Sequence, residues 1–172
     1  METDDAIEYM SEVAEAANIL SWDVLVFAAI IVGVFGYAYT FGKDYVVPGT
    51  FSLYIAAFIM MFIPAIDSAV GLIESTDWIA RIIVFAVLYV AVFIIMKTNG
   101  FFEPYVVPTG FEIGTFALAF CGLLFVIVGS FFPQDLLETL SPWTNLIFYG
   151  ELARSIWAVV PIATLLLVRG DA

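Results

Sequence analysis

The chain has 172 residues, 63% of them hydrophobic and 17% aromatic, with 13% charged and a net charge of −12. Soluble domains are about 45–50% apolar and about 25% charged, so an ordinary water-soluble globule is excluded; a single core could not hide this much apolar surface. The acidic balance excludes nucleic acid as a partner, the lack of histidine removes the commonest general base and transition-metal ligand, and one cysteine, Cys121, builds neither a disulfide framework nor a cysteine metal site.

Residues 1–21 form an acidic segment with Glu2, Asp4, Asp5, Glu8, Glu12 and Glu15 and no lysine or arginine. Ile7, Met10, Val13, Ala14, Ala17 and Leu20 recur at helical spacing, which predicts an amphipathic helix. Its charge repels anionic lipid, so it reads as a solvated leader into the first span rather than a basic membrane anchor. No basic region and early apolar core of a signal peptide open the chain.

The first span is predicted from Trp22 to Phe41 and closes at Lys43. Ala29, Gly33 and Gly36 thin one side of it, as close helix packing requires. The second runs from near Val46 to near Ile66, which places Pro48 in its first turn, where a missing N–H costs nothing. A polar linker from Asp67 to Asp77 follows. The third span runs from Trp78 to Met96, with Lys97 at its end and Thr98-Asn99-Gly100 as a helix stop. The fourth starts at or after Phe111 and ends near Phe132, before a linker holding Pro133, Asp135, Glu138, Ser141 and Pro142.

The last segment is apolar from Trp143 to Val168 except for Glu151 and Arg154, and Pro161 interrupts it. Ser155 to Val168 alone is too short to cross; a start near Asn145 makes it long enough. Glu151 and Arg154 then stand three positions apart on one helix face, where they can pair. A span takes about 20 residues. The expected fold is therefore all-α: a polytopic transmembrane helical bundle of five spans filling residues 22–168, with four spans plus an interfacial or re-entrant helix at 145–168 as the alternative.

A phrase occurs twice. Tyr45-Val46-Val47-Pro48 returns as Tyr105-Val106-Val107-Pro108, each copy after an apolar run that ends in lysine and before another apolar run. This predicts a duplicated two-helix hairpin, with repeat 1 at about 22–67 and repeat 2 at about 79–135. An even number of spans per repeat keeps both copies in one orientation, related by an axis along the membrane normal. Lys43, Lys97 and Arg169 then share one side. The positive-inside rule makes that side cytoplasmic, with the N-terminus outside and the C-terminus inside the plasma (inner) membrane.

Few residues here could carry chemistry. Tyr45 and Tyr105 serve as interfacial anchors, with Pro48 and Pro108 as helix starts, or the two phrases form one binding surface. Glu151 and Arg154 are intramembrane charges, a functional hypothesis by default and a snorkelling structural pair otherwise. Gly110 and Gly114, like Gly33 and Gly36, mark helix contacts or a dimer face. No phosphate loop, nucleophile elbow or carboxylate pair occurs, so no catalytic residue, cofactor or metal is implied, and the chain reads as non-enzymatic. The partners expected are the lipid bilayer and other membrane proteins or further copies of this chain.

The layout resembles the colicin V production protein family of small inner-membrane proteins with four or so spans. The resemblance rests on Trp22-Asp23 opening the first span, on the Gly42-Lys43-Asp44 turn, and on a final semi-apolar helix, Glu151-Leu152-Ala153-Arg154-Ser155-Ile156-Trp157, followed by Pro161. Tyr-Val-Val-Pro stands where that family has an arginine-rich turn and an Asp-Arg linker. Ser141-Pro142-Trp143-Thr144 and the Glu-Leu-Ala-Arg run also look like uncharacterised multi-pass proteins of reduced-genome bacteria. The resemblance implies a bacterial inner-membrane protein tied to toxin export and the envelope. Two functions compete: an envelope accessory or structural component acting by helix packing, and a small channel or transporter subunit whose pore is made by oligomers. The second requires a polar face along several spans, and polar residues here gather at span ends.

Overall fold

The structure is a computed structural model that describes residues 21–63, 65–71, 73, 76–99 and 110–168. The acidic amphipathic segment, the second phrase with Tyr105 and Pro108, and Arg169 lie outside the described residues. Among those described, all regular structure is helical. The long helices are α1 (Trp22–Phe41), α2 (Lys43–Phe62), α4 (Asp77–Thr98) and α5 (Gly110–Gly129), and short α3 (Ala65–Gly71) precedes α4. After α5 come short α6 (Gln134–Glu138), α7 (Pro142–Thr144) running into a π turn (Asn145–Tyr149), and α8 (Glu151–Val168).

Each long helix holds 20 or 22 residues. At about 1.5 Å per residue that matches a hydrocarbon core of about 30 Å. Four helices are long and apolar enough to cross a membrane, or five if the bent pair Pro142–Tyr149 and Glu151–Thr164 is one span. The first span begins and ends where the apolar run does. The second begins three residues earlier than expected, because the chain reverses on Gly42 alone. That glycine has φ 74 and donates its N–H to the Ala38 carbonyl at 2.8 Å. A positive φ of this kind is costly for residues with a Cβ, so Gly42 makes a one-residue hairpin possible.

The early start corrects the place of Pro48. It sits in the second turn of α2, inside the helix, and not in the first. It is buried there, and the Ser52 hydroxyl donates to its carbonyl at 2.7 Å. The expected linker from residue 67 to 77 is partly helical, since α3 folds Ile66 and Val70 against Ala80 of α4.

The core sits where α2, α4 and α5 meet. Leu53, Ala56, Phe85, Leu123 and Ile127 form its centre. A second cluster, Ala38, Val46, Phe116 and Ala117, joins α1, α2 and α5. Helix α5 is the hub, packing on α1, α2, α8 and the π turn. The outer helices show the reverse: only 6% of α1 and 11% of α4 is buried, against 39% of α2 and 44% of α5. Water would oppose so much exposed aliphatic and aromatic surface, whereas lipid does not. This is a multi-pass membrane architecture.

The last segment is not the continuous helix expected over 145–168. Ser141 caps α7, its Oγ accepting from the Thr144 N–H at 3.2 Å, and Pro142 takes the first position. The chain then widens into a π turn, closed by the Gly150 N–H donating to the Asn145 carbonyl at 2.9 Å, and bends by 53°. A broken helix leaves carbonyls without donors. Here the Trp157 Nε1–H supplies one to Ile147 at 2.8 Å, and Asn145 Nδ2 reaches back to Leu137 at 3.1 Å. Beyond the bend α8 climbs along α5, and the Tyr54 hydroxyl donates to the Ala158 carbonyl at 2.7 Å. That is one residue past the carbonyl of Trp157, which the missing N–H of Pro161 leaves without its helical donor.

Candidate functional site

Two places in the bundle gather polar groups, one at each end. At the end where α1 begins and α7 begins, Asp23 is 1% exposed. Its Oδ2 accepts from the Ser141 N–H at 2.9 Å, and its Oδ1 has no hydrogen-bond partner among the described residues. Ser141 also donates its hydroxyl to Thr144 Oγ1 at 3.0 Å. The position suits an anion: it is in the first turn of α1, and it accepts the N–H of Ser141, the cap residue of α7. The result is a tie between residues 118 apart in sequence. Burying a carboxylate is expensive unless it is bonded, so this tie is a strong constraint on how the last segment starts.

At the other end, where α1 and α4 finish and α2 and α5 begin, aromatic rings surround a cavity of about 220 Å³. Gly33 and Tyr37 from α1, Tyr45 and Val46 from α2, Tyr89 from α4 and Phe120 from α5 line it. Tyr37 and Tyr45 meet edge-on with centroids 6.1 Å apart, and Phe41 packs against Tyr45 at 5.3 Å. The Lys97 ammonium lies 3.6 Å from the centre of the Tyr45 ring, a cation–π contact.

No protein-family model, curated protein or solved structure matches this chain. The resemblance to the colicin V production family rests on the residues quoted for it, and the site is read from its geometry.

The residues singled out in the sequence fare unequally. Tyr45 is central to the aromatic end and holds Lys97. Gly110 and Gly114 make the helix contact expected of them. A Cβ on Gly114 would stand 3.4 Å from the Tyr39 hydroxyl and 3.7 Å from Phe35, and that hydroxyl donates to the Gly110 carbonyl at 3.1 Å. Gly33 and Gly36 do not: a Cβ on either meets nothing within 4 Å. Gly36 faces outward and Gly33 borders the open aromatic cavity, because α1 turns its Phe35 and Ala38 side to its neighbours. Glu151 and Arg154 are both exposed in the first turn of α8, and they form no ion pair with each other among the described residues. The bend at Gly150 comes directly before this helix start.

Three important residues escaped the sequence reading. Asp23 entered only as part of a resemblance. Gly122 and Gly129 are the tightest glycines in the bundle: a Cβ on the first would fall inside the Trp157 ring, and on the second inside the Tyr149 ring. Their spacing of seven, two helical turns on one face of α5, was the available signal.

Proposed function

We propose that this chain is a non-enzymatic inner-membrane protein, an envelope accessory or assembly component that acts through helix–helix contacts. The observation that carries this reading is how the buried hydroxyls inside α2 and α8 are used. Thr50 donates to the Val46 carbonyl at 2.8 Å, Ser52 to Pro48 at 2.7 Å and Thr164 to Pro161 at 2.8 Å. Each side chain returns to the backbone of its own helix, so none lines a polar route through the bundle. The outer faces of α1 and α4 are apolar and open to neighbours, with Val32 71% and Val87 65% exposed. In this reading the end carrying Lys97 faces the cytoplasm, and the end carrying Asp23 faces outward.

The test is reconstitution of the purified protein into liposomes, together with cysteine crosslinking at Val32 and Val87 in native membranes. Crosslinked adducts and no ion flux above empty vesicles support helix-contact function. Saturable, selective flux would transfer support to the second reading, a channel or transporter subunit assembled from several copies. One feature favours that alternative: the last segment is discontinuous at Gly150, as are the helices that form midplane sites in transporters.

A further inference from the structure

The aromatic cavity has properties that helix packing does not require. Its walls are flat rings supplied by four helices, with Gly33 opening one side. Among the described residues the hydroxyls of Tyr37, Tyr45 and Tyr89 donate to no acceptor, and all three tyrosines line one space. Donors in apolar surroundings call for acceptors. Gly49 brings one of them in: a Cβ there would stand 3.2 Å from the Tyr89 hydroxyl and 3.4 Å from Phe120. Gly33, by contrast, leaves room that nothing fills, and Tyr37 is 41% exposed, so the space opens sideways along α1.

We infer that this cavity binds an uncharged lipophilic ring bearing carbonyl acceptors, of which quinones are the chemical class, with its apolar tail lying outward along α1. Size agrees, since a cavity of about 150 Å³ holds benzene and one of about 220 Å³ holds one substituted ring. A fused polycyclic lipid is too large for it. A quaternary ammonium would need the open faces of the tyrosines, but the face of Tyr45 already carries the Lys97 ammonium at 3.6 Å. A bare alkyl chain would leave the three phenol donors unanswered. Ring carbonyls answer them, and the aromatic walls supply offset and edge-on contacts to the ring.

This inference is independent of the helix-contact reading and has its own test. The full-length protein in mild detergent is titrated calorimetrically with a decyl-substituted dimethoxybenzoquinone. Saturable binding at one site is expected. Gly33→Leu, which fills the space, weakens it at least about tenfold, and Tyr89→Phe, which removes one donor, weakens it about three- to tenfold. Gly36→Leu, on the same helix but away from the cavity, leaves it unchanged. Decylbenzene, which keeps a six-membered carbon ring and the decyl tail but has no oxygen acceptors, binds at least about tenfold more weakly. The inference is overturned if the protein shows no saturable binding, if Gly33→Leu binds as the parent does, or if decylbenzene binds equally well. Should Gly33→Leu not fold, the comparison of Tyr89→Phe with the parent and of the two ligands decides the matter.

Discussion

Gly122→Ala adds one methyl group at the most crowded contact of the bundle. The new Cβ would fall inside the indole of Trp157, so either the ring or the whole of α8 must move. The ring is held on both sides. Its Nε1–H donates to the Ile147 carbonyl at 2.8 Å, and it stacks on Phe148 with centroids 5.8 Å apart. Overpacking of this kind costs about 1–3 kcal/mol. Displacing the ring forfeits a hydrogen bond of about 0.5–1.5 kcal/mol and an aromatic contact of similar size. The total is about 2–6 kcal/mol, or at roughly 2–4 °C per kcal/mol a fall in Tm of roughly 4–24 °C. Gly33→Ala is the matched control: its Cβ meets nothing within 4 Å, and the helix propensity of alanine favours it by about 1 kcal/mol. Tryptophan fluorescence on heating in detergent reads the melting of both variants, with Trp22, Trp78 and Trp143 contributing to the emission alongside Trp157. If Gly122→Ala melts together with Gly33→Ala, α8 does not lie against α5 as described and the reasoning fails.

Asp23→Ala leaves the Ser141 N–H buried without an acceptor, which costs about 1–3 kcal/mol, whereas Asp23→Asn keeps an oxygen within reach and loses less; thermal unfolding should rank them in that order. Removing the Tyr54 hydroxyl with Tyr54→Phe gives up the bond to Ala158 and lowers stability by about 0.5–1.5 kcal/mol, and equal melting of variant and parent would show that the bond contributes nothing. For topology, Thr139→Cys should react with an impermeant maleimide added to intact cells while Thr98→Cys stays protected, and the native Cys121, buried in α5, should not react; labelling of Thr98→Cys instead reverses the orientation. A reporter active only in the cytoplasm should work after Ala172 and fail before Met1.

The long helices were legible because lipid imposes a simple rule: about 20 apolar residues per crossing, and Trp22–Phe41 obeys it to the residue. What governs contact between helices was less legible. A glycine is recorded in the sequence, but whether it meets a ring or open space depends on how its helix is rotated. Gly33 and Gly36 have the spacing of a packing motif and meet open space, while Gly122 and Gly129 receive Trp157 and Tyr149 from 35 and 20 residues away. The break at Gly150 was hidden for a related reason. Periodicity continues across it, and the π turn is held by Asn145 and Trp157, whose partners only folding brings together. Asp23 entered only through Trp22-Asp23 in the resemblance, and its partner is a backbone N–H, which no sequence pattern marks.

The Asp23–Ser141 bond also has a consequence in time. Its two ends are 118 residues apart, and a ribosome adding roughly 5–20 residues per second takes about 6–24 s to travel between them. Throughout that interval the first helix is complete but its carboxylate lacks the Ser141 N–H that it binds in the finished fold. In addition α5, the hub that α1 packs against, is itself among the last long helices made. Final assembly of this bundle is a late event, set by the arrival of residues near its C-terminal end.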